Sequence, residues 1–275
     1  MLMFPARHSH SPKIAALFGA ATFIAMAMTL GGCKGNTSAA ALPEHPAGTP
    51  PVVRAQRTGE PLANIDPLMA PAWQAAQWRT LLPPANSSRS TPPSRAAVLF
   101  DSQNLYVAVV CELPSSPEEG RDVVSLYLDP TNSGRELMQI STDSSGITAC
   151  SWIRSAVPLE PNADGSPNLD TPLDIRPSTK LSGLVTHVSQ GTTGDTQVWA
   201  ITMSVPAASL PPLMQRPLSG EWRFNVVRTV TSTQAGQRHP QQSNLSPVFV
   251  NAQAYSPYRI ATLTFDADPL AAGHE

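Results

Sequence analysis

From Arg95 to Phe265 the chain runs as short apolar or β-branched stretches cut at close intervals by turn chemistry, and this pattern limits it to an all-β fold. RAAVLF (Arg95–Phe100) and LYVAVVCE (Leu105–Glu112) flank Asp101-Ser-Gln-Asn and read as a hairpin. VVSLYLD (Val123–Asp129) stops at a turn from Pro130 to Gly134. Glu136–Ser141 and Gly146–Ile153 form the next pair, followed by a proline-rich excursion, Pro158–Pro177, too poor in periodic apolar residues to be a strand. LVTHVSQ (Leu184–Gln190), QVWAITMSV (Gln197–Val205), GEWRFNVVRT (Gly220–Thr229) and YRIATLTF (Tyr258–Phe265) complete the set. About nine strands with few helical windows predict an antiparallel β-sandwich of the immunoglobulin or jelly-roll kind. Short helices are expected only around Met69–Trp78 and Ala207–Leu210.

The N-terminus has a different character. Arg7 and Lys13 precede an uncharged apolar run, Ile14–Leu30. This is the charged-then-apolar order of an export signal, slightly shorter than the roughly 20 apolar residues of a spanning helix. Leu30-Gly31-Gly32-Cys33 then resembles a bacterial lipobox, which implies cleavage before Cys33 and diacylglyceryl attachment to its sulfur, with palmitate-type acyl chains. Each buried CH2 of such chains contributes about 0.8 kcal/mol, so multiple acylation holds a protein at a membrane surface. The sequence therefore divides into a signal peptide at 1–32, a Pro/Ala-rich tether at 33–61, a sandwich at 62–267 and a disordered tail at 268–275. Lys34, directly after the cysteine, points to the outer membrane if the host is Gram-negative. The expected location is the cell envelope.

Composition excludes some functions. A formal net charge of −2 with no basic patch argues against nucleic acid. No Gly-x-Ser-x-Gly, His-Glu-x-x-His or Gly-rich phosphate loop occurs, so the chain is expected not to be an enzyme. Cys111 and Cys150 lie in predicted strands; an oxidising envelope permits a disulfide between them, and two buried thiols are the alternative.

The succession AWQAAQW, LYVAVVCE, DVVSLYLDP, GITACSWI, VWAITMSVPAASL and GEWRFNVVR resembles the family 9 carbohydrate-binding modules over most of Asn64–Asp266. The resemblance implies an antiparallel sandwich whose sugar-binding members hold a saccharide end between aromatic side chains with polar partners. Relatives place one tryptophan shortly before an Asp-x-Val-Glu stretch and a second after an Asn-x-x-Arg strand. Here the first region reads SSPEEGRDVVS, with Ser125 in place of the glutamate, and the second reads Gln242-Ser-Asn-Leu-Ser-Pro247.

Among the five tryptophans, Trp222 and Trp199 alternate with apolar residues and read as core. Trp152 shares its strand face with Cys150 and Thr148 and is the candidate exposed platform. Arg228 ends an otherwise apolar strand face, so it must pair with a carboxylate or contact a ligand; Asp129, Glu112 and Asp122 are the candidate partners. Asn225 and Tyr127, on the opposite faces of their strands, complete the ligand-binding candidates.

The expected function is a membrane-anchored, non-catalytic envelope lipoprotein that binds a polysaccharide. One alternative is a sandwich with a degenerate sugar site that contacts an envelope protein. Another is a b-type haem domain, for which His187 with Met138 or Met203 is the minimum ligand set; His239 is the other histidine of the folded part. No cofactor is required; a calcium ion on the oxygen-rich Asn162–Asp170 segment is the exception considered.

Overall fold

The computed structural model describes residues 50–84, 91–113, 121–155, 173–178, 181–234, 237–246 and 260–269. Their strands are β1 (Val52–Arg57), β2 (Arg79–Thr80), β3 (Ser94–Phe100), β4 (Asn104–Glu112), β5 (Arg121–Asp129), β6 (Glu136–Asp143) and β7 (Thr148–Ser155). They continue with β8 (Leu173–Ser178), β9 (Val185–Thr193), β10 (Thr196–Pro206), β11 (Glu221–Gln234), β12 (Gln237–Asn244) and β13 (Ala261–Pro269). Among the described residues, helical structure is confined to α1 (Pro71–Gln74) and two single turns at Ala207–Ser209 and Pro212–Met214.

The thirteen strands of the described residues form one hydrogen-bonded sheet, eleven of them in the order β8-β7-β6-β5-β11-β13-β1-β3-β4-β10-β9, with β12 pairing on β11 and β2 on β3. It curls so that one half faces the other. Alternation along each strand sends Val124, Leu126 and Leu128 of β5, Val107 and Val109 of β4, Ile201 and Met203 of β10, and Trp222, Phe224 and Val226 of β11 into one shared core. The two ends of the curl also meet: Thr148 of β7 bonds both Thr142 of β6 at 2.9 Å and Thr186 of β9 at 3.0 Å.

The predicted sandwich is therefore present, with three departures. First, Val52–Arg57 is a strand rather than tether. It runs parallel to both β13 and β3, buries Val53 and Ala55, and closes the middle of the sheet. A strand of six residues surrounded by prolines carries too little pattern to be read alone, and its partner lies some two hundred positions away. The folded part thus begins ahead of Leu62. Second, part of the proline-rich excursion pairs: β8 lines up with β7, Ile175 opposite Ile153. Third, β12 follows β11 as a polar hairpin arm, legible only through its pairing.

The outward face of β3, β4 and β10 is covered by residues 58–78. Trp73 packs there with Leu62, Leu99 and Tyr106, and Leu68 with Val110 and Ala200. Ser189 of β9 donates to Asp66 at 2.9 Å, and Thr202 of β10 to the Ile65 carbonyl at 2.9 Å. Gly191 lies under this cover, where a Cβ would come within 3.0 Å of Leu68 and make that side chain shift.

A chain starting at Leu62 would leave the facing edges of β13 and β3 unpaired. Circular dichroism is expected to show a cooperative melt for a chain starting at His45 and its loss for one starting at Leu62; equal melts would refute the role given to β1.

Candidate functional site

Arg228 is fully buried, with a side-chain exposure of 0%. Its Nε donates to Asp122 Oδ1 at 3.0 Å and its Nη2 to Asp122 Oδ2 at 2.6 Å, a two-pronged ion pair. Nη1 donates to the Pro92 carbonyl at 3.1 Å and to Ser94 Oγ at 2.9 Å, and Nη2 also reaches the Glu112 carbonyl at 2.8 Å. Trp199 Nε1 donates to the same Asp122 at 2.8 Å. Burial pulls the guanidinium pKa down, but the Asp122 carboxylate outweighs it and holds the pKa above its ordinary value. Every nitrogen of Arg228 is committed inside the protein, so it is a structural clamp and not a ligand contact. Of the three expected partners, Asp122 supplies its carboxylate and Glu112 only its backbone. Asp129, at the far end of β5, instead accepts from the turn at Thr131 and Gly134.

The other sequence candidates lie apart from one another. Trp152 is half-buried against the main core, and the guanidinium of Arg154, held by Glu136 at 3.2 Å, lies 4.7 Å from its ring centre. Tyr127 packs on the outward face of β5 with Leu137, Ile153, Val227 and Ile260. Asn225 is buried on that same outward face and accepts from the Ser246 amide at 3.3 Å. Cys111 and Cys150 are free buried thiols rather than a disulfide. Burial pushes the Cys111 thiol up to about 12, against a weaker opposing pull from Arg228.

The haem ligand set is not assembled. Met138 and Met203 are fully buried in the inner core. His187 lies opposite Thr202 in the register, on the outward face of β9, so it cannot share an iron with Met203. The Asn162–Asp170 segment, Cys33, the apolar run Ile14–Leu30 and His274 lie outside the described residues.

A face missed in the sequence is built by β6, β5, β11 and β12. The register sets Ser141, Ser125, Val227 and Asn244 in one row across these strands. In the flanking rows lie Gln139, Tyr127 and Asn225 on one side and Val123, Thr229 and Gln242 on the other. Ser125 and Ser141 hydroxyls are 2.8 Å apart, Gln139 donates to Ser141 at 3.0 Å, and Gln242 donates to Thr229 at 3.3 Å. Asp143, opposite Val123, brings a carboxylate into the second of these rows and is paired with Arg121 at 3.3 Å.

Along β12 and just beyond it, Gln242, Asn244 and Ser246 alternate with the core residue Leu245 and share this face. Gln242 Oε1, both amide atoms of Asn244 and Ser246 Oγ are buried with no hydrogen-bond partner. Such groups are costly to leave unmade. The available sequence signal was the Gln-x-Asn-x-Ser alternation, which looks like a loop without the pairing.

No protein-family model matches the chain, and no curated protein matches it in sequence. A provisionally assigned carbohydrate-binding protein from Bacteroides uniformis superposes with a TM-score of 0.53 at 12% identity, over 79% of this chain and 100% of that one. The two share a fold. Two family 9 carbohydrate-binding modules from Caldicellulosiruptor kristjanssonii, solved with cellotriose and with glucose, give TM-scores of 0.47 and 0.48 at 10% and 11% identity. They span 82% and 81% of this chain and 98% of each module.

Arg228→Met leaves Asp122 unpaired inside the protein and is expected to cost about 3–5 kcal/mol of stability, the range for breaking a buried pair. The check is urea unfolding followed by tryptophan emission, to which all five tryptophans contribute. Separately, Cys111 and Cys150 are expected to resist a thiol reagent at pH 8 in the native protein and to react after unreduced unfolding; no reaction in denaturant would restore the disulfide.

Proposed function

We propose that the protein is a non-catalytic, lipid-anchored envelope protein that binds a glycan on the polar face of β5, β6, β11 and β12. The observation that carries this reading is that face itself, where hydroxyl and carboxamide groups line up across four strands beside a row of unpartnered ones. Sugars present many uncharged donors and acceptors, and a fixed array of hydroxyls and amides fits them. The Bacteroides protein of the same fold is described as carbohydrate-binding, which supports the same chemistry here.

Among the described residues, no tryptophan offers an open ring for stacking. Trp73, Trp199 and Trp222 are buried in the cores. The half-buried Trp78 and Trp152 each carry an arginine over the ring, Arg95 at 4.9 Å and Arg154 at 4.7 Å. Recognition therefore rests on hydrogen bonds. Anchoring through an acylated Cys33 places the face at the envelope surface, within reach of polysaccharide.

The full chain, in a detergent without a sugar headgroup, is expected to retain glycans on an array and to bind them about tenfold more weakly when Gln242→Ala removes one polar contact. Trp152→Ala is expected to leave binding unchanged. A folded protein that retains no glycan would sink the reading and favour an envelope-protein partner. Cys33→Ser is expected to move the protein from the detergent to the aqueous phase and to abolish palmitate labelling; an unchanged partition would refute the anchor.

A further inference from the structure

We propose that β1 and β13 form a shear latch, which makes the sandwich resist tension drawn between the chain ahead of β1 and the chain beyond β13, and yield more easily to tension that peels β1 sideways. The inference goes beyond the binding reading: the anchor proposed at Cys33 supplies the tension in the envelope, while the latch rests on strand geometry alone.

The chain enters the sheet at Val52, and β1 pairs with β13 in parallel. Val52 lies opposite Thr262, Ala55 opposite Phe265 and Arg57 opposite Pro269. Because the two strands run the same way, the start of β1 and the end of β13 lie at opposite ends of one ladder. Tension between the chain ahead of Val52 and the chain beyond Pro269 therefore slides one strand along the other. Every bond of the ladder then carries the load at once. Two antiparallel neighbours pulled from the same end would instead open one bond at a time.

β1 is held outside this ladder as well. The Pro51 carbonyl, just ahead of the strand, accepts from Thr262 N at 3.0 Å, and Thr58 N, just past it, donates to the Phe100 carbonyl at 2.8 Å. On its other side β1 runs parallel to β3, with Gln56 opposite Leu99 and Arg57 opposite Phe100. Thr264 of β13 adds a side-chain bond to the Val53 carbonyl at 3.4 Å. Val53 and Ala55 are buried in the main core, so sliding β1 also exposes apolar surface. The Phe265 ring of β13 meets Phe100 of β3 edge-on at 5.2 Å and Trp222 of β11 at 5.1 Å, which ties the two neighbours of β1 to each other.

A different direction of pull loads the same strand in another way. Arg223 lies opposite both Asp129 and Thr262, and Thr262 opposite Val52, so the turn after β5 is level with the start of β1 and lateral to it. Asn132 in that turn accepts from Arg223 Nε. Tension between Val52 and the exposed Ser133 of this turn runs across the strands, and the β1 ladder gives way from Val52 onward, bond after bond.

The test stretches single full-length Cys33→Ser chains in detergent. One handle is placed between Lys34 and His45, and the other at the C-terminus or on Ser133→Cys; Cys111 and Cys150 are buried and do not take the thiol handle. Forced unfolding is governed by the unfolding barrier under the applied load, and the end-to-end geometry is expected to need a force about twofold higher than the Ser133 geometry. Val53→Ala on β1 and Val107→Ala on β4 trim the same side chain in the same core, and urea unfolding is expected to show both destabilised. Val53→Ala is expected to lower the end-to-end force and Val107→Ala to leave it unchanged. Equal forces in the two geometries, or an equal loss of force in the two variants, overturns the latch. The instrument supplies the tension here, so failure of the anchor reading shows separately, as an unchanged detergent partition of Cys33→Ser.

Discussion

The sandwich depends on one buried charge. Arg228 sits at the end of an apolar strand face, pairs with Asp122 on the neighbouring β5, and reaches across the core to Ser94 and the carbonyl before it at the entry to β3 and to the last carbonyl of β4. It therefore joins the two halves of the curled sheet at the place where β11 exchanges one neighbour, β13, for another, β12. A hydrophobic side chain there would fill volume but leave several carbonyls and a carboxylate unmet. The guanidinium satisfies them together because its five N–H groups diverge in a plane.

This clamp also determines which faces are available. The inner faces of both halves are sealed against each other, and the outward face of β3, β4 and β10 is covered by residues 58–78. The outward face of β5, β6, β11 and β12 has a different composition: serines, threonine, glutamine and asparagine beside a small apolar cluster. Because Arg228 holds β11 from the inner side, the residues alternating with it are oriented outward, and Val227 and Thr229 bring Asn244 and Gln242 of β12 beside them.

Much of this was readable from the residues alone. Period-two alternation located the strands of the main core, and it correctly assigned Trp199 and Trp222 to the interior. The same alternation posed the problem of Arg228, and Asp122 was among the partners expected. What escaped was carried by pairing rather than by pattern. β1 is too short to announce itself, β8 is rich in proline and charge, and β12 is polar throughout. Trp152 was sought as an open platform because its strand face looked polar, yet one of the polar residues two positions away, Arg154, covers the ring.

The sequence by itself determined the all-β class, the order of most strands and the sidedness of each, because side-chain alternation in a strand is a local property of the backbone. Only the tertiary structure decided that Arg228 is a clamp, that the two cysteines remain thiols, and that Ser125, Gln139, Ser141, Gln242 and Asn244 share one face. Those outcomes depend on which strands become neighbours and in what register. That choice is made by burying side chains far apart in the chain against one another, a cooperative property of the whole sheet that no single segment encodes.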